Sequence, residues 1–98
     1  KNSVLGRGTN VAHLSYVGDS VLAPEVNFGA GTIVANLRHD GDPVALAVNG
    51  ERRSTGRRKF GAVVGRGTKT GIDTSIDAGV TLSPGSHTAV GECVTRDR

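Results

Sequence analysis

Apolar and polar positions recur every six residues along most of this chain. Leu5, Val11 and Val17 stand six apart, and each is followed by a small residue: Gly6, Ala12, Gly18. Four positions after each comes another small or branched residue, Thr9, Ser15 and Val21. The series then loses one residue and resumes at Leu22, Phe28 and Val34, with Ala23, Gly29 and Ala35 behind them and Val26 and Thr32 at the fourth position. After an interruption it returns at Val64, Thr70, Ile76, Leu82 and Thr88, where Thr68, Thr74, Val80 and Ser86 keep the template. Its weak points are Thr70 and Thr88, polar where the template wants an apolar residue, and the slip between Val17 and Leu22.

A period of six is too long for an amphipathic helix and too regular for scattered loops. One short strand followed by one tight turn fits it: the branched residue points inward, the small residue fits a corner, and Gly supplies an unusual φ. Three such units make a triangular coil of about 18 residues, and stacked coils give parallel sheet. The pattern predicts an all-β, single-stranded parallel β-helix. Residues 1–98 read as one domain with an excursion over about 36–60. That excursion holds Val44–Val48, then Asn49-Gly50, then Glu51-Arg52-Arg53. Asn-Gly behind a β-prone run predicts a projecting hairpin, rejoining the repeat at Phe60–Val64.

Composition narrows the class. Fifteen glycines, no Met, no Trp and three aromatics make a thin core. Set against about 1–2 kcal/mol of backbone entropy per ordered residue, such a core predicts surface shared with neighbouring subunits. A net charge of +3 with so few aromatics argues against nucleic acid and suits a small phosphorylated ligand. Nothing approaches the ~18 consecutive apolar residues of a membrane span. The single Cys93 has no disulfide partner, which points to a reducing compartment and the cytoplasm. The start at Lys1, without Met or a signal-like segment, reads as a piece of a longer protein.

Candidate chemistry gathers in Ala12–Asp19, where His13 and Tyr16 interrupt a repeat that requires neither. If the excursion returns in phase, Val11, Phe28, Thr70 and Thr88 begin the same face of successive coils. The residues two places on, His13, Ala30, Ile72 and Val90, then form an outward column with about 5 Å between rungs. A long, thin ligand lying along that column would end beside His13, the candidate catalytic base. Zinc needs several close histidines, and His13, His39 and His87 are scattered, so no metal is predicted. The basic run Arg52-Arg53 and Arg57-Arg58-Lys59 is either a solvated loop or a phosphate clamp. Gly-Arg-Gly-Thr occurs twice at repeat phase (6–9 and 65–68) and is scaffold.

The block from His13 through Gly18-Asp19, continued by Val26-Asn27-Phe28-Gly29-Ala30-Gly31-Thr32-Ile33 and Asn36, resembles a known family. It is the acetyltransferase domain of the bifunctional sugar-1-phosphate nucleotidylyltransferase/acetyltransferases, whose best-known member makes UDP-N-acetylglucosamine. Ala35-Asn36-Leu37-Arg38, a hairpin and Gly56-Arg57-Arg58-Lys59 make it similar to the archaeal branch. The resemblance covers essentially the whole chain. It implies a left-handed coil, a homotrimer with sites in the grooves between β-helices, and acetyl transfer from acetyl-CoA to an amino-sugar 1-phosphate such as glucosamine-1-phosphate. It makes His13 the general base; an imidazole, with an ordinary pKa of ~6.5, suits that task at neutral pH. It assigns Lys1 to the sugar phosphate, and Tyr16, Asn27 and Asn36 to the amino sugar. Ala30 offers a backbone N–H to the acetyl group, and Ile72 and Val90 mark further points on the coenzyme path. Mg2+ belongs only to the nucleotidylyltransferase part, which this sequence does not contain.

Three positions depart from the bacterial pattern. Leu37 stands in place of a tyrosine, Ile72 in place of a serine, and only Arg58 or Lys59 offers a substitute for a lysine beyond the asparagine. An alternative of another class is a catalytically silent β-helix that assembles or regulates the nucleotidylyltransferase.

Overall fold

The branched residues of the repeat form strands two residues long. The computed structural model describes residues 1–98. In chain order the strands are β1 (Val4–Leu5), β2 (Asn10–Val11), β3 (Val21–Leu22), β4 (Asn27–Phe28) and β5 (Ile33–Val34). Two longer ones follow, β6 (Ala45–Val48) and β7 (Glu51–Ser54), then β8 (Val63–Val64), β9 (Lys69–Thr70), β10 (Ser75–Ile76), β11 (Thr81–Leu82) and β12 (Cys93–Val94). No helix is long and apolar enough to cross a membrane.

Three parallel sheets result. The first has the order β1-β3-β8-β11, the second β2-β4-β9 and the third β5-β10-β12. His87 extends the second sheet by a bridge to Lys69, and Tyr16 extends the third by a bridge to Ile33. The chain visits first, second and third sheet in rotation, an arrangement compatible with a β-helix. Leu5, Leu22, Val64 and Leu82 lie in register, as do Val11, Phe28 and Thr70, and Val34, Ile76 and Val94. The excursion therefore rejoins in the phase that keeps three faces per coil.

Those registers stack the inward side chains into one core. Leu22, Val26, Phe28, Val34, Val64, Ile76, Val80, Leu82 and Val94 are buried together. Each large member contributes about 1.5–3 kcal/mol relative to exposure. Two inward assignments need correction. Leu5 is half exposed because no coil lies beneath it in this chain. Val21 faces outward at 41% exposure, and Ser20, at 2%, takes the corner instead. The residue lost at the slip comes out of this corner, and the Ser20 hydroxyl spans it, donating to Gly18 O (2.8 Å) and accepting from the Ala62 N–H (3.0 Å).

Thr70 and Thr88 do point inward, and hydroxyl pairing makes that tolerable. Thr70 Oγ1 lies 2.8 Å from Thr32 Oγ1 and accepts from the Gly29 N–H at 3.1 Å. Thr88 repeats this one coil higher with Thr74 (2.7 Å) and the Gly71 N–H (3.1 Å). No buried side-chain nitrogen or oxygen lacks a partner.

The excursion is an antiparallel hairpin of β6 and β7, paired from Ala45↔Ser54 to Val48↔Glu51. Asn49 (φ 51°) and Gly50 (φ 81°) both take the left-handed conformation that a two-residue type I′ loop demands. Its two ends are joined at the root, where Leu37 bridges Lys59 and the Phe60 N–H donates to Asn36 O (2.9 Å). The root rests on Gly79, where an added Cβ would stand 2.6 Å from the Ala45 carbonyl oxygen. Only glycine permits that approach.

Candidate functional site

The corner between the second and third sheets is a stack of four turns: His13-Leu14, Ala30-Gly31, Ile72-Asp73 and Val90-Gly91. Backbone hydrogen bonds join them in order. Gly31 N–H donates to His13 O (3.2 Å), Asp73 N–H to Ala30 O (2.8 Å) and Gly91 N–H to Ile72 O (2.8 Å). The second residue of every turn is left-handed: Leu14 (φ 62°), Gly31 (77°), Asp73 (57°) and Gly91 (72°). Coils approach closely here because Gly29 and Gly71 precede two of the turns. A Cβ at either would stand 2.7 Å from a backbone atom of the next coil, Thr70 O or Val90 N. The threonine pairs lie on the inner side of this corner and tie the Gly29 and Gly71 amides to it.

The column residues keep their own amides uncommitted. The N–H groups of His13, Ala30, Ile72 and Val90 find no acceptor within the chain. On the corner between the first and second sheets the equivalent places hold Arg7, Pro24, Arg66 and Pro84. Two of those four have no N–H at all. The His13 corner thus offers an unbroken line of donors, flanked by the exposed side chains of Ile72 and Val90. His13 is exposed, and its imidazole makes no hydrogen bond within the chain. Glu92 closes the top turn by accepting from the Ala89 N–H (2.8 Å). A hydrogen bond from the Arg98 guanidinium, and then the Ala89 N–H, hold the Glu92 carboxyl below its ordinary pKa.

A second group sits across the third sheet, on the corner where the excursion leaves. The Tyr16 ring lies over Gly18, whose missing side chain makes room for the hydroxyl. Asn36 Nδ2 donates to Asp19 Oδ2 at 2.8 Å and to Tyr16 Oη at 3.3 Å. Arg57 brings its guanidinium to 3.8 Å from Asp19 Oδ1. Asp19 is pinned at both backbone atoms: its N–H donates to Lys1 O (2.9 Å) and its carbonyl accepts from Gly61 N–H (2.8 Å). Lys1 and Tyr16 line one cavity of about 310 Å3 with Leu5, Val11 and Ser15.

The sequence candidates therefore fall into separate places. Tyr16 and Asn36 meet, and Lys1 lies beside them. His13 heads the donor column at the opposite edge of the third sheet; three residues of extended chain, about 10 Å, separate it from Tyr16, and the Asp19–Asn36 corner lies farther on. Asn27 stands on the second sheet, in register with Asn10 and Lys69, and makes no hydrogen bond to Tyr16 or Asn36. His39 lies on the excursion, lining a cavity of about 420 Å3 with Arg38, Asp40, Arg52 and Asp77. No three metal-ligating side chains converge anywhere in the chain. The basic run is dispersed: Arg53 meets Glu51 at 3.5 Å, Arg58 donates to Gly41 O, and Arg57 alone reaches the Tyr16–Asn36 group.

Asp19 was not assigned by sequence reasoning, and Arg57 was weighed only as part of the basic run, not as a partner of Asp19. Asp19 carried a signal, as the one carboxylate in the small and apolar run around His13. Arg57 stood out only through the basic run, which gave no sign that it meets Asp19.

No family model matches the chain. Its similarity to curated proteins is extensive. A bifunctional sugar-1-phosphate nucleotidylyltransferase/acetyltransferase of Sulfurisphaera tokodaii is 50% identical over 97 residues, 99% of this chain and 24% of that protein. The bifunctional protein GlmU of Methanococcus vannielii is 46% identical over 91 residues, 93% of this chain and 21% of that protein. The bifunctional protein GlmU of Methanocaldococcus jannaschii is 41% identical over the whole chain and 23% of its own length. The chain spans about a quarter of the length of these relatives.

Proposed function

We propose that this chain, a segment of the bifunctional sugar-1-phosphate nucleotidylyltransferase/acetyltransferase family, is an acetyltransferase unit. It transfers acetyl from acetyl-CoA to the 2-amino group of an amino-sugar 1-phosphate, glucosamine-1-phosphate in the first instance, within a route to UDP-N-acetylglucosamine. The observation that carries this reading is the column His13–Ala30–Ile72–Val90. It is a straight line of uncommitted N–H donors with an apolar wall and one imidazole at its end.

The coenzyme lies along the column with its thioester beside His13. The sugar amine attacks the thioester carbonyl carbon, a C–N bond forms, and His13 takes the proton from nitrogen. The oxyanion that develops is held by backbone N–H, that of Ala30 first. The C–S bond then breaks, and the leaving thiolate takes the proton back from the His13 imidazolium, so that the coenzyme departs as its thiol and the base is regenerated. Tyr16, Asn27 and Asn36 bind the amino sugar and Lys1 its phosphate.

His13 and Asn36 lie too far apart in one chain to hold one sugar. We therefore place the site in a groove between subunits of a homotrimer of left-handed β-helices, where the His13 edge of one subunit faces the Asn36 edge of the next. The exposed Val4, Val21 and Ile33 support such self-association. Neither nucleic acid nor membrane enters the reading, and a cytoplasmic location follows from the substrates.

The test is an assay of acetyl transfer from acetyl-CoA to glucosamine-1-phosphate by the protein carrying this chain. His13→Ala should lower kcat by about 10²–10⁴-fold, the usual share of a general base. Full activity in that variant would sink the mechanism. A parent that never transfers acetyl would leave the segment as an assembly or regulatory β-helix for the nucleotidylyltransferase.

A further inference from the structure

We propose that Asp19 is the positioning residue of the acceptor site: it dictates which way the Asn36 amide faces and thereby leaves the Tyr16 hydroxyl to donate. The inference rests on the reading that Tyr16 and Asn36 meet the amino sugar.

A carboxylate only accepts hydrogen bonds, so the Asn36 group 2.8 Å from Asp19 Oδ2 must be the NH2 and not the carbonyl oxygen. The second amide proton points toward Tyr16 Oη at 3.3 Å. Both Asn36 donors are then turned inward, and its Oδ1 is left as an acceptor. Tyr16 Oη, already accepting, keeps its own proton for an outside partner. The pair presents one acceptor beside one donor, a complement to a hydroxyl or amine that donates and an oxygen that accepts. Without the carboxylate, Asn36 could face either way and that pattern would be lost.

The scaffold does not require an acid at this position. On the same corner the next coils carry Gly61 and Gly79, stacked on Asp19 by Gly61 N–H to Asp19 O (2.8 Å) and Gly79 N–H to Gly61 O (2.7 Å). Asp19 takes the left-handed φ of 53° that glycine adopts without strain, and its side chain is only 7% exposed. A buried carboxylate is costly unless paired. Here its compensation comes from Asn36 and from Arg57, which reaches it from the returning arm of the excursion. The carboxylate thus joins the excursion to the Tyr16–Asn36 pair.

The test uses Asp19→Asn, which keeps the shape but lets the new amide face Asn36 in either sense. Steady-state kinetics should show the KM for the amino-sugar phosphate rising about tenfold, the equivalent of one well-oriented hydrogen bond. The KM for acetyl-CoA should stay within about twofold. In an Asn36→Ala background the same substitution should add nothing further to the acceptor KM. Nitrogen-15 NMR supplies a readout without catalysis: the Asn36 side-chain N–H should be protected from solvent exchange in the unsubstituted protein and lose that protection in Asp19→Asn. Parallel rises in both KM values, or a full effect in the Asn36→Ala background, would make Asp19 a brace for the fold and overturn the proposal. An unprotected Asn36 amide in the unsubstituted protein would overturn it as well. Loss of amide protection in a protein that transfers no acetyl would uphold the positioning and remove the functional reading alone.

Discussion

Replacing Ile72 by proline removes one donor from the His13 column while leaving its architecture in place. Ile72 is the first residue of a turn whose second residue, Asp73, has φ 57°. That pairing is the type II geometry, in which proline is favoured at the first position. Pro24 and Pro84 already occupy the same place on the neighbouring corner, each packed against a glycine of the coil below. Gly29 underlies Ile72 in the same way. The Ile72 N–H donates to nothing in the chain, so no internal hydrogen bond is lost. Fixing φ stabilises by about 0.4–1 kcal/mol through the unfolded state. Ile72 is 49% exposed, so the side-chain burial given up is of similar size and opposite sign. The fold should therefore melt within a few degrees of the unsubstituted protein. Acetyl-CoA binding should weaken by about 0.5–1.5 kcal/mol, roughly two- to tenfold in Kd by titration calorimetry. Ile72→Ala is the control, since it removes the side chain and keeps the N–H. If proline and alanine bind the coenzyme equally, the amide is not a coenzyme donor and the column loses its chemical meaning.

Two further outcomes follow from backbone and charge. Leu14 adopts φ 62° at 82% exposure, so Leu14→Gly should relieve about 1 kcal/mol of left-handed strain and raise the melting temperature by a few degrees. A lower melting temperature would mean that Leu14 is held by contacts outside its own chain. Glu92 is held below its ordinary pKa of 4.5, chiefly by Arg98 and then by the Ala89 N–H. A depressed carboxyl stabilises above its unfolded pKa and loses that contribution as pH falls through the folded value. Hydrogen exchange at the Ala89 amide should thus quicken on acidification below about pH 4.5 relative to the other turn amides, and in Glu92→Gln its ratio to those amides should stay constant through that range.

The coil was legible because its signal is local and repeated. Leu22, Phe28 and Val34 announce one circuit, and Val64, Thr70 and Ile76 find the same three sheets after the excursion. Asn49-Gly50 marked the hairpin, since only a loop with two left-handed residues fits it. What the pattern hid was polar. Thr70 and Thr88 looked like defects in the apolar series, yet their hydroxyls pair with Thr32 and Thr74 and tie down the corner that carries the column. The slip was visible, but which residue took the corner was not: Ser20 does so because its hydroxyl bridges Gly18 and Ala62, which Val21 cannot do. The order His13, Ala30, Ile72 and Val90 followed from the period once the phase was assumed. The Asp19–Arg57 contact did not, because a repeat encodes which residues stack and says nothing about an excursion folding back onto it.

The stacked turns have a consequence for length. With rungs ~4.8 Å apart, the coils work as a graduated ruler on which His13 is the zero mark. Each graduation is made by one circuit of the chain and bonded only to the circuits beside it. Deleting or duplicating one whole circuit above His13 would leave every remaining neighbour pair intact while shifting the far mark by one division. Cross-section and reach are thus separately adjustable in this molecule. Single substitutions alter what a rung touches, and only whole circuits alter how long a ligand it measures.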